Sequence, residues 1–307
     1  MRLLVTALLA IASACSTGGP RTVPAAPEPA VPQRIVQSAT AQAISLDALA
    51  LAASRADVVF FGEQHTDPET HRVEFELLEA IERHRAVVLS LEMFERDVQA
   101  ILDDYLAGRI PEADFLARSR PWPRYATDYR RLVELAKTRG WPVIAANVPR
   151  PVASAVGRRG LAALDSLPSV ERGVAATDIL CPDDDYRRRF MDEMKGHSSG
   201  SAAPAAGDTL PTAVAERFYF AQCVKDETMG ESIAQARLHH GRDAVVVHYD
   251  GAFHSDFGAG TVERVRRRAP SARTLVITAI PVADPSAAVV SDPKRADYVI
   301  FTKAPPR

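Results

Sequence analysis

Four short apolar segments of this sequence share one pattern, and that pattern limits the fold more than any other feature. Each is a continuous run of β-branched or aromatic residues that ends directly in polar or glycine-rich residues: 57–61, 86–91, 142–146 and 244–249. Such runs, separated by helical patterns, are typical of parallel strands buried on both faces. Two later runs, 274–280 and 298–302, complete the predicted sheet. The sequence predicts an α/β fold with a mostly parallel central sheet flanked by helices.

Helical patterns lie between these runs. Asp67 and Pro68 begin one predicted helix, because an N-cap residue is followed by proline at the first helical position. The stretch 151–240 is too long for an ordinary crossover and contains helical patterns at 184–195 and 213–237. We predict that it forms a helical lid inserted before the fourth strand, with a flexible loop at 196–208. Residues 41–307 are predicted to form a single domain.

The N-terminal residues 1–15 have the pattern of a lipoprotein signal peptide. An apolar run precedes Ala12-Ser13-Ala14-Cys15, which resembles a bacterial lipobox, and we expect lipidation at Cys15. The run is too short to remain as a membrane-spanning helix, and a plain signal peptide cleaved nearby is the alternative. Residues 16–40, rich in Pro and Ala, are predicted to be a tether. This pattern predicts a protein anchored to the bacterial outer membrane, on its periplasmic side.

The charge of the chain argues against one class of partner. The 307 residues carry a formal net charge of -2, and the arginine clusters at 187–189 and 266–268 have the pattern of polar helix faces. A nucleic-acid-binding domain needs a broad basic surface, so we expect no nucleic-acid partner.

Export of the protein also affects whether its cysteines can form a disulfide. An oxidising compartment permits a disulfide between Cys181 and Cys223. A buried free thiol at Cys223, inside an apolar helical pattern, is equally compatible with the sequence.

Polar side chains follow four of the predicted strands. Glu63 and His65 follow the first, Glu92 the second, and His254 the fourth, while the third is followed by Asn147 and Arg150. Ligands of open α/β sheets bind beyond the carboxyl ends of the strands, where these residues would meet. Taken singly, each is more often a structural residue. Their convergence predicts one polar ligand site.

The same segments resemble a known family. Residues 61–68, 91–97 with Gln99, 145–150, 221–222 and 225–229 are similar to motifs of the ChaN-like lipoproteins, the haem-binding uptake group of the Tiki superfamily. The likeness covers roughly residues 50–270. It implies an α/β domain with a helical lid, iron-linked regulation, haem held at the lid side of the pocket and a homodimer in some members. Gln222 and Asp226, four residues apart on one helix, would contact the ligand from above, and a capping or salt-bridge role is equally compatible with the sequence.

The resemblance supports a second function as well. Gly62-x-x-His65 and Gly251-x-x-His254 are similar to the paired motifs of Tiki-type metalloproteases. Imidazoles and carboxylates can hold a divalent metal with an open position for water, so His65 and His254 are candidate metal ligands. Glu92 would be their acidic partner, Glu63 the general base, and Arg150 would steady developing negative charge.

Three functions are therefore compatible with the sequence. Haem or iron-related binding in uptake is the first, a metal-dependent hydrolase the second, and a non-catalytic scaffold lipoprotein the third. The sequence leaves the axial ligand of haem open among Tyr125, Tyr129, Tyr186, Tyr219 and His197. Phe253, which precedes His254, would either contact a porphyrin or, as we favour, pack in the core.

Overall fold

The strands of the computed structural model, which describes residues 33–195, 211–241 and 243–305, form one eight-stranded sheet. They are β1 (Arg34–Gln37), β2 (Gln42–Ile44), β3 (Val58–Glu63), β4 (Ala86–Glu95), β5 (Val143–Asn147), β6 (Ala244–Gly251), β7 (Thr274–Val282) and β8 (Tyr298–Lys303). Their order is β2-β1-β8-β7-β3-β6-β4-β5. β3 to β8 pair in parallel, and β1 pairs antiparallel with β2 and β8. The predicted α/β class and all six predicted strands are confirmed.

The central strands are buried on both faces, as continuous apolar runs require. In β3, Val58 and Phe60 pack on one face of the sheet, and Val59 and Phe61 pack on the other. Because side chains alternate along a strand, one unbroken run supplies two layers of core.

The helices cover both faces of this sheet. They are α1 (Leu46–Ser54), α2 (Pro68–Glu82), α3 (Gln99–Leu106), α4 (Glu112–Ser119), α5 (Arg130–Arg139), α6 (Arg150–Arg159), α7 (Ser169–Gly173), α8 (Asp185–Met194), α9 (Thr212–His240) and α10 (Thr261–Arg268). A π-helical turn, Tyr125–Tyr129, precedes α5. α2 begins as predicted: the Asp67 side chain accepts from the Thr70 N–H, and Pro68 is the first helical residue.

Part of the predicted lid also packs on one face of the sheet. The C-terminal half of α9 packs Ile233 and Ala236 against β3, β4 and β6. Its N-terminal half continues past the carboxyl ends of the strands, where Tyr219 and Cys223 join a separate cluster. α10 crosses α9 closely, since a Cβ atom at Gly230 would lie 2.5 Å from Cβ of Arg264. One helix thus forms a second layer on the sheet and carries residues over its edge.

A disulfide joins Cys181 to Cys223, with 5.8 Å between their Cα atoms. Of the two states that the sequence left open, the structure has the bonded one. The bond fastens the segment before α8 to the N-terminal half of α9.

The sheet begins earlier than the sequence indicated. Residues 34–37, at the end of the predicted tether 16–40, form β1, because Ile35 and Val36 are β-branched and bury against β8 and its neighbours. The predicted signal peptide, residues 16–32 of the predicted tether and the loop at 196–208 lie outside the described residues. No helix in the described part of the chain is long and apolar enough to span a membrane.

Candidate functional site at the carboxyl edge of the sheet

The parallel strands bring the predicted residues to one edge of the sheet. Glu63 ends β3 and Asn147 ends β5, while Glu92 lies near the end of β4. His254 lies in a single helical turn directly after β6. Because β6 pairs with both β3 and β4, His254 lies between segments that are far apart in the sequence.

Glu63 and His65 form the first half of the site. Glu63 is buried, and its Oε1 accepts a hydrogen bond from the Tyr129 hydroxyl at 2.6 Å and contacts Nδ1 of His65. Burial raises the pKa of Glu63 well above its usual value, and the nearby carboxylate of Glu74 adds to the rise. Burial alone would lower the pKa of His65, but the contact with Glu63 outweighs it and raises that pKa.

His254 forms the second half, between two carboxylates. Its Nδ1 lies 2.7 Å from Oδ1 of Asp226, and its Nε2 lies 3.4 Å from Oε1 of Glu92. Burial opposes a charge here, but Glu92 and Asp226 outweigh it and raise the pKa of His254 to about 10. The two carboxylates therefore favour the protonated form of the ring. To ligate a metal, it would have to lose a proton and one of these contacts.

Gly251 connects the two halves. Its N–H donates to Oε2 of Glu92 at 2.8 Å, and a Cβ atom at this position would lie 2.6 Å from Nε2 of His65. Gly62 of the first Gly-x-x-His motif is also closely packed, because a Cβ atom there would lie 2.8 Å from Cα of Ala252. Both glycines are thus needed for the close approach of β3 and β6 at this edge.

Asp226 and Gln222 of α9 contact His254. The Asp226 carboxylate accepts hydrogen bonds from the hydroxyls of Tyr186 and Thr261, at 2.7 and 2.9 Å, in addition to its contact with His254. The amide nitrogen of Gln222 lies 3.2 Å from Nδ1 of His254. α9 therefore holds His254 from above.

Asn147 and Arg150 have different positions. The Asn147 side chain is buried and donates to the backbone carbonyl of Glu92 at 3.1 Å, so it fixes the end of β4. Arg150 is exposed at the first position of α6, and its backbone N–H donates to Oε1 of Glu95 at 3.0 Å. Asn147 is a positioning residue, whereas the Arg150 guanidinium is available to a ligand.

A cavity of 410 Å³ opens beside these residues and is called the Trp122 cleft below. Its walls include Trp122, Val148 and Phe218, and its charged residues are Arg150, Arg158, Lys225 and Glu95. The Trp122 ring also contacts the edge of the His65 ring, with 5.0 Å between centroids. The sequence did not single out Phe218 or Arg158, because their helices meet only in the folded chain.

The four tyrosines considered as axial ligands are all buried, with 4% or less of each exposed. Three of their hydroxyls are engaged: Tyr129 donates to Glu63, Tyr186 to Asp226, and Tyr219 to the Pro182 carbonyl at 2.9 Å. Phe253 packs against Tyr186 and Phe190, which agrees with the predicted core role. His197 lies outside the described residues.

A group of potential metal ligands lies beneath His65. Glu63, His71 and Glu74 each offer one atom, and these atoms all lie within 4.8 Å of one another. In the residues that the structure describes, no comparable group contains the predicted metal pair, His65 and His254. Glu74 was not predicted as a site residue, and the sequence left open whether His71 faces the pocket or solvent. Their spacing of three places both on one face of α2.

The fold and this edge define an α/β protein with a polar ligand site at the carboxyl ends of its parallel strands. A family model described as "Haem-binding uptake, Tiki superfamily, ChaN" matches residues 49–265, and the chain belongs to that family.

Individual relatives show how far the likeness extends. The solved structure described as cofacial heme binding to ChaN of Campylobacter jejuni has a TM-score of 0.66 and 17% identity, covering 89% of this chain and 97% of that one. The Arabidopsis thaliana protein RETICULATA-RELATED 5, chloroplastic, is 24% identical over 236 residues, which is 72% of this chain. The match spans only 31% of that relative's length.

Proposed function

We propose that this chain binds haem in the Trp122 cleft, as part of haem or iron uptake. The observation that carries the proposal is the composition of the cleft, in which an aromatic and aliphatic wall lies beside three cationic side chains. The ring of His65 packs against Trp122, which forms part of that wall. Its volume of 410 Å³ falls in the range of small-molecule sites. Membership of the haem-binding uptake family supports the same proposal.

The chemistry of haem fits these residues. A porphyrin has apolar faces and two carboxylates, so it needs a flat apolar wall and cations at one side. Trp122 and the partly exposed Phe218, which is 41% exposed, can supply the wall. Arg150, Arg158 and Lys225 can pair with the propionates.

His65 is the proposed axial donor. Its side chain is 40% exposed, whereas the candidate tyrosines are buried. Its Nδ1 contacts Glu63, which fixes the ring, and its Nε2 lies beside Gly251 without a hydrogen-bond partner in the described part of the chain. A histidine ring oriented by a carboxylate is a common arrangement for a metal ligand. When bound, the haem supplies an iron centre and a strong visible chromophore.

A hemin titration tests this proposal. We expect purified protein to give a saturable Soret shift. Replacing both Arg150 and Arg158 with alanine should weaken binding by about 10-fold, because both arginines are exposed and each exposed ion pair contributes roughly 0.2–1 kcal/mol.

The matched control is Arg139→Ala, which removes an arginine of α5 that pairs with Glu82 and does not line the cleft. Its affinity for hemin should equal that of the wild type. A featureless spectrum on addition of hemin to the wild type would remove the proposal and favour the scaffold function.

We also propose that the chain is lipid-anchored through Cys15, on the periplasmic side of the outer membrane. The support is the apolar run and the Ala-Ser-Ala-Cys sequence that ends it. Palmitate labelling in a Gram-negative host should mark the wild-type protein, and Cys15→Ser should abolish both the label and recovery in the membrane fraction. Label retained in Cys15→Ser would contradict this anchor.

A further inference from the structure

The group beneath His65 is built from three buried side chains of two elements. Glu63 ends β3, and His71 and Glu74 lie one turn apart on α2. Glu63 is 1% exposed, Glu74 0% and His71 6%. Two carboxylates brought together out of water repel each other, so a buried pair of this kind is stabilised by a cation or by a shared proton.

The orientation of His71 is that of a metal ligand. Its Nδ1 points at the two acids, 2.9 Å from Oε2 of Glu74 and 3.7 Å from Oε2 of Glu63. Its other nitrogen, Nε2, lies 3.2 Å from the His65 carbonyl oxygen and 3.4 Å from Oδ2 of Asp128. Ligating histidines regularly donate their second N–H to a carbonyl or carboxylate in this way.

The protein atoms described around the two carboxylates leave one oxygen of each without a hydrogen-bond partner. Oε2 of Glu63 and Oε1 of Glu74 are buried, and neither has a hydrogen-bond partner among the described residues. The other oxygen of Glu63, Oε1, is held by Tyr129 and His65. Glu63 therefore directs its unpaired oxygen into the group, toward Nδ1 of His71. Leaving such atoms unpaired costs about 1–3 kcal/mol each.

We propose that Glu63, His71 and Glu74 bind one divalent transition-metal ion. A charge of +2 balances the two carboxylates, and the ion gives both unpaired oxygens a partner. Carboxylate ligands suit Mn²⁺, and imidazole suits Fe²⁺ and Zn²⁺, so the mixed set fits ions of that series. This site differs from the haem cleft and from the His65 and His254 pair, and it stands whether or not haem binds.

Zinc binding to the full chain tests the site. Protein freed of metal with a chelator should bind one Zn²⁺ per chain in calorimetry. His71→Asn and Glu74→Gln should each weaken binding by about 100-fold or more. Asp128→Asn weakens one of the two outer contacts of His71, together with the ion pair between Asp128 and Arg124. It should weaken zinc binding by about 10-fold, the usual range for such partners being about 10–100-fold.

The control variant is His239→Ala. His239 and His240 form a histidine pair at the end of α9, with 4.9 Å between ring centroids and His239 exposed, which could take up Zn²⁺ adventitiously. Affinity unchanged in this variant supports the buried site. Loss of binding in His239→Ala, or no stoichiometric Zn²⁺ in the wild type, overturns it and leaves a shared proton as the neutralising partner.

A second measurement does not depend on the folding of any variant. X-ray absorption at the zinc edge of the wild-type complex should show oxygen and nitrogen ligands with a single imidazole. Two imidazoles bound to the zinc would place it at another histidine pair, either His65 with His254 or His239 with His240, and overturn the proposal.

Discussion

Replacing Asp226 with alanine is expected to lower the free energy of unfolding by about 3–5 kcal/mol, the cost of removing one partner of a buried charge pair. Asp226 is fully buried and serves three groups at once: the His254 ring and the hydroxyls of Tyr186 and Thr261. The variant leaves a buried imidazolium with one carboxylate partner and two buried hydroxyls without an acceptor. Urea denaturation of the isolated protein measures the loss.

Two variants calibrate that result. Asp226→Asn keeps an acceptor for the hydroxyls but removes the charge, so its loss should be intermediate. Asp165→Ala removes an exposed aspartate of the same insert and should change stability by no more than about 0.5 kcal/mol. A loss below about 1 kcal/mol in Asp226→Ala would mean that α9 does not hold His254 through this carboxylate.

Removing the disulfide should cost a similar amount, about 4 kcal/mol. The bond closes a loop with a sequence separation of 42, and its loss restores the corresponding chain entropy to the unfolded state. The change is Cys181→Ser with Cys223→Ser, and the measurement is denaturation of both proteins under oxidising conditions.

Addition of a reductant provides the control for this pair. It should lower the stability of the wild type to that of the double variant and leave the variant unchanged. Equal midpoints for oxidised wild type and double variant would contradict a bond between these two cysteines.

The sequence was a good guide to the strands and to the edge at which they end. Runs such as 57–61 and 244–249 must be buried on both faces, and parallel strands place Glu63 and His254 at the same edge of the sheet. The glycines of the two Gly-x-x-His motifs have a steric reason in the fold, because side chains at Gly62 or Gly251 would separate β3 from the residues that follow β6.

Other features depend on contacts between distant segments, which local patterns do not encode. β6 enters between β3 and β4, although it follows both by more than a hundred residues; this order makes Glu92 the neighbour of His254. The apolar lining of the Trp122 cleft comes from separate elements, and Phe218 joins it only when α9 folds over the sheet. β1 was missed because it is a short strand inside a stretch with the composition of a tether.

The proposed haem site lies at the carboxyl edge of the sheet, in the Trp122 cleft, with His65 packed against Trp122. Crystals soaked with hemin and measured at the iron absorption edge locate the iron directly. We expect an anomalous peak in the Trp122 cleft, within coordination distance of Nε2 of His65. An iron peak elsewhere on the chain would contradict this assignment.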